Sequence, residues 1–100
     1  MSEALSAKDV YRVGVLFESI DNCLLGDSNP KGYLEGLESI LKKSEHLKEL
    51  SGELRIWIRV LEDKNDKLDR GTARVVKSEI LRIRGHCERI LDDRFNINEI

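Results

Sequence analysis

The sequence predicts an all-α fold: a three-helix antiparallel bundle of hairpin type with a long central helix, completed by homodimerisation. Three observations predict it. Leu34, Leu37, Leu41, Ser44, Leu47, Leu50, Leu54, Trp57 and Leu61 recur in steps of three or four with one polar rung. That is the period of an α-helix with a buried stripe, sustained too long for a strand. The composition is 40% hydrophobic and 36% charged, with few aromatics and one proline, as in bundles whose aliphatic seams are covered by charged faces. Helix start and stop signals then divide the chain into three segments. One hundred residues suffice for a single domain over 1–100, with 1–5 and 95–100 expected to fray as tails.

The first helix is predicted over about 6–25. Ser6 offers a hydroxyl to an orphan amide, and Asp9 places an acid in the first turn. Val10, Val13, Phe17, Ile20 and Leu24 follow at helical spacing, with Leu16 and Cys23 widening the stripe. Gly26 suits the left-handed residue beyond the last turn. Gly14, inside the helix, costs about 1 kcal/mol against Ala, which points to close approach of another helix there.

The second helix is predicted over about 30–63. Asn29 caps it, and Pro30 takes the first position, where a missing N–H is harmless. Ser51-Gly52 is its weak point, but Leu47, Leu50, Leu54 and Trp57 keep phase across the glycine, so one rod is expected. Arg55 to Val60 alternates polar and apolar as a strand would, yet it is short and has no partner strand. Glu62 to Gly71 reads as a loop with Leu68 turned inward. The third helix, about 72–94, carries Val76, Ile80, Ile83, Cys87 and Ile90.

A rod of about 50 Å exceeds what either flanking helix covers. The bare seam, centred on Leu50, Leu54, Ile56, Trp57, Val60 and Leu61, would then be larger than a monomer usually exposes. A symmetric homodimer pairing these residues is the expected remedy.

Chemistry is thinly represented. Ser44 and His46 are two residues apart and lie on different sides of a helix, so they do not form a nucleophile–base pair. Cys23 and Cys87 occupy apolar stripes, where a free cysteine behaves as a small hydrophobe. No Cys/His spacing suits a metal, and no glycine-rich phosphate loop occurs. The expectation is no catalytic residue, no cofactor and no metal. A net charge of −2 argues against a general nucleic-acid coat. No secretory signal or 18-residue apolar window is present, so a cytoplasmic protein off the membrane is expected.

One asymmetry stands out. Residues 1–54 carry ten acids and six bases, whereas residues 55–94 carry eleven bases and eight acids. On the third helix Arg70, Arg74, Lys77 and Arg84 fall within about 80° of arc. Acids three and four residues away, among them Glu79 and Glu88, are placed to neutralise part of this face. The function expected is a small regulator, inhibitor or adaptor that binds an acidic protein partner through Arg70, Arg74, Lys77 and Arg84 with Phe95 and Ile97. A nucleic-acid-binding regulator using the same arginines is the alternative.

Overall fold

The computed structural model describes the backbone of residues 5–99 and the side chains of residues 5–92. Within it the chain is all-helical: α1 (Ala7–Leu25), α2 (Lys31–Leu41), α3 (Lys48–Glu62) and α4 (Arg70–Glu99), with a 3-10 turn at Glu45–Leu47 before α3. The Ser6 hydroxyl accepts from the Asp9 amide at 3.1 Å, so α1 starts where its capping signal lies. Arg55 to Val60 sits inside α3. Its alternation is helical spacing seen over too short a window.

The predicted central rod over 30–63 is corrected. It breaks between Lys42 and Leu47, and not at Gly52, which α3 passes through in phase. The break falls on the ladder's one polar rung. Ser44 is extended (φ −106, ψ 128), and the amides of Lys43 and Ser44 close tight turns on Ile40 and Leu41. Serine gains little from an apolar interface and readily adopts turn geometry. The chain doubles back there, and the ladder closes on itself. Every rung except the half-buried Trp57 is buried within one chain. The bare seam that called for a twin is therefore absent: Leu50, Leu54 and Leu61 lie in the core and are not offered to a second copy.

Specific contacts give the directions of the helices. The Asn29 side chain of the turn before α2 donates to Leu61 O and Asn65 O, while Glu38 meets Ser51 and Arg55. These pairings make α2 and α3 an antiparallel hairpin. Asp9 pairs with Lys43, and Leu16 covers Gly36, so α1 and α2 are antiparallel too. The Arg84 guanidinium lies over Phe17, and Arg82 meets Glu53, so α4 runs against both α1 and α3. The helices thus go up, down, up and down around one core. The molecule measures 45 × 24 × 19 Å. A 30-residue helix is about 45 Å long, so α4 sets the length of the whole.

The α1–α2 and α3–α4 connections clasp each other at one end. Asn29 N donates to Asp66 O at 2.8 Å and Leu68 N to Asp27 O at 2.7 Å, around an antiparallel bridge between Ser28 and Lys67. Leu68 is buried beneath them, as expected. The left-handed residue after α1 is Asp27 (φ 56) and not Gly26 (φ −96), because Asp tolerates that region through its short polar side chain. Gly14 is also corrected. It is exposed with no neighbour within 4 Å, and the close helix approach falls at Gly36 beneath Leu16.

The last helix starts two residues earlier and runs five residues further than predicted. Asp69, read as loop, caps it by accepting from the Thr72 amide and hydroxyl. No glycine or proline follows Gly85, so no stop signal ends it at Arg94. The backbone expected to fray from residue 95 is helical to Glu99. The side chains of Phe95 and Ile97 lie outside the described residues.

Candidate functional site

Among the described residues, no group of three or more His, Cys, Asp or Glu side chains is placed to hold a metal ion. His46 is exposed in the turn before α3 and His86 is exposed on α4. Cys87 is fully buried, and burial with the neighbouring Glu88 carboxylate pushes its thiol from 9.0 up to about 12. A thiol held so firmly protonated is a poor nucleophile at neutral pH. Both cysteines are free.

The feature with chemical character is the seam where α1 and α4 lie side by side. Two open depressions run along it. One is bounded by Val10, Tyr11, Gly14, Val15 and Glu18 of α1 with Arg84 of α4. The other is bounded by Leu24, Leu25 and Asp27 with Arg70, Arg74 and Lys77. All four cations singled out in the sequence therefore line one seam, over about 21 Å of helix. Their common edge follows from helical spacing. Their position beside α1 is a tertiary fact, set by the antiparallel return of α4.

The four are not equivalent. Arg84 is engaged: its Nε donates to Glu88 Oε2 at 3.1 Å, and its guanidinium stands 5.8 Å from the Phe17 ring centroid. On the other flank of α4, Arg82 is held by both Glu79 and Glu53. The expected neutralisation thus reaches residues 82 and 84. Among the described residues it does not reach Arg70, Arg74 or Lys77, none of which forms an ion pair. Exposed apolar side chains accompany these three. Leu81 shares their edge of α4, and Leu25, 64% exposed, projects from the end of α1.

Sequence reasoning missed Tyr11, Val15, Leu25 and Leu81. Leu81 had a signal, since it falls within the arc between Arg74 and Lys77. The α1 residues had none until the neighbour of α4 was known.

Compared with family models, curated proteins and solved structures, the chain matches none of them. No described helix is long and apolar enough to cross a membrane.

A second surface, on α3, carries part of the predicted dimer interface. Ile56 is 60% exposed and Val60 39% exposed, with Trp57 half-buried beside them. Val75 of α4, which had not been singled out, adjoins Trp57 and Val60 and is 54% exposed. The patch is smaller than the one expected from the ladder, and it involves two helices instead of one.

Proposed function

We propose that the chain is a non-enzymatic interaction module that holds an acidic, amphipathic segment of a protein partner along the α1–α4 seam. The observation that carries this is a row of three cations without ion pairs among the described residues, Arg70, Arg74 and Lys77, beside exposed Leu25. Cations of this kind give a partner its approach rate and register, and the apolar side chains give it something to bury. A helix can turn its acids toward α4 and its apolar side chains toward Tyr11 and Leu25. The module would act by occluding or bridging the partner, as inhibitors and adaptors do.

Nucleic acid is the competing ligand for the same arginines. A phosphate backbone is charged at every unit, and along this seam it would also meet Glu18 and Asp27. That favours the peptide.

The probe is a synthetic helical peptide with glutamates at i, i+4 spacing and leucines between them, followed by fluorescence anisotropy. Binding should weaken as salt rises and disappear in Arg74→Glu/Lys77→Glu, with the far-ultraviolet helical signal unchanged. Equal binding by the double variant would dismiss the seam. Tighter retention of duplex DNA than of the peptide, with a steep log–log salt slope, would award the site to nucleic acid. The two free thiols are consistent with a reducing compartment, and the cytoplasm is the location we propose. Pairing of two copies is the other half of this proposal, and it moves from the ladder to the part of α3 that stays exposed.

A further inference from the structure

Three features besides the seam carry chemistry: the α3 patch, the lysines around the Lys42–Lys48 turn, and the two thiols. The turn lysines share their end of the molecule with Asp9, Glu45 and Glu49, and Lys43 is already paired with Asp9. The thiols are separate and largely covered. The α3 patch goes further, because its order along the helix says what fits it.

Gly52, Ile56 and Val60 succeed one another at four-residue spacing on one edge of α3. Glu49 lies two turns before Ile56 on the same edge, and Lys64 bounds the groove with Trp57 and Val60 just past the helix end. Arg59 and Asp63 share this arc, so the edge reads acid, gap, apolar, base, apolar, acid, base. Gly52 has no neighbour within 4 Å, so it is a true gap. Glu49 and Lys64 form no ion pair among the described residues.

An arrangement of this kind complements itself when reversed. We infer that this face binds a second copy of the chain, with two α3 helices antiparallel about a two-fold axis at Ile56. Ile56 then packs on the twin's Ile56, Val60 enters the space over the twin's Gly52, Arg59 faces the twin's Glu53, and the neighbours Lys48 and Glu49 meet the twin's Asp63 and Lys64, base to acid and acid to base. A two-fold interface demands this property: the patch must match its own reverse. An unrelated partner would impose no relation between the two ends of the edge. Val75 and Trp57 extend the apolar centre toward α4. The face is about 22 Å long.

This inference rests on the pairing half of the proposed function and is independent of the seam. Sedimentation equilibrium of the full chain over a concentration series tests it. The wild type should fit a monomer–dimer equilibrium, and Ile56→Asp should raise the dissociation constant about tenfold or more with helical content unchanged. Glu49→Lys and Lys64→Glu should each weaken the dimer, and the two together should restore it, as expected where the two residues meet between copies. Arg74→Glu/Lys77→Glu should leave the dimer intact, so a failed seam and a failed dimer give different results. A wild type that stays monomeric up to about 100 µM overturns the inference. So does a charge-swapped double variant no tighter than either single.

Discussion

Asn29 joins two helices through one side chain. Its Oδ1 accepts from the Lys31 amide at 3.1 Å, and its Nδ2 donates to Leu61 O and Asn65 O. One residue thus starts α2 and ties it to the end of α3. Asn29→Ala removes three bonds, two of them partly buried and one exposed, and should cost about 2 kcal/mol in urea unfolding. An aspartate in its place would keep the bond from the Lys31 amide and lose both donors, so Asn29→Asp should fall between. Next to it, Asp27 holds φ 56. Asp27→Gly should be neutral or slightly stabilising, whereas Asp27→Val, β-branched in a left-handed position, should cost about 1–2 kcal/mol.

Cys87 makes a prediction about pH. Its thiol is raised to about 12 by burial, so folding favours the protonated form. That contribution is complete below the unfolded thiol value near 9 and is lost as pH rises toward 12. Chemical unfolding at about pH 8 and about pH 10.5 should show a loss in the wild type that Cys87→Ala does not share. A thiol reagent at about pH 8 should label Cys23 well before Cys87.

Among the elements, the glycines separate propensity from packing. Gly14 and Gly52 have empty surroundings within helices, so Gly→Ala at either should raise stability by about 0.5–1 kcal/mol. The gain at Gly52 should come with a weaker dimer, because the new methyl group occupies the space Val60 of the twin requires. A methyl group added at Gly36 would meet a Leu16 methyl at 3.7 Å, an ordinary packing contact, so Gly36→Ala should gain at least as much. The start of α4 depends on Asp69, whose carboxyl is held below 3.8 by the Thr72 hydroxyl and amide. A depressed acid stabilises the fold above its unfolded value and loses that effect as pH falls through the folded one. Asp69→Ala should lower the melting temperature at about pH 7 and narrow its drop at acid pH.

Across the whole molecule, the clasp between the α1–α2 and α3–α4 connections joins segments some forty residues apart. No helix pair is free to open alone, so unfolding should be a single transition. Near-ultraviolet dichroism, dominated by the lone Trp57, should track the far-ultraviolet signal through urea. Separate midpoints would show α4 leaving before the α2–α3 hairpin.

The residues named from the sequence as the apolar ladder are, apart from Trp57, ones the core contains. The start of α1 and the inward turn of Leu68 were also legible, because each depends on side chains a few positions apart. Rod or hairpin was not legible at Ser44: a polar rung is tolerated in a long helix and favoured in a turn, and the free energies of burial decide. For the same reason the ladder could be assigned to a core but not to its partner, whether a twin or its own other half. The cations of α4 were visible as an arc. Arg84 is taken up by Phe17 and Glu88, while Arg70, Arg74 and Lys77 form no ion pair among the described residues. That division depends on which helix packs next to α4. Sequence therefore determined the periodicities and the start of α1, which follow from local spacing. Tertiary structure decided which faces meet and which charges are left without partners, because those depend on contacts between residues tens of positions apart.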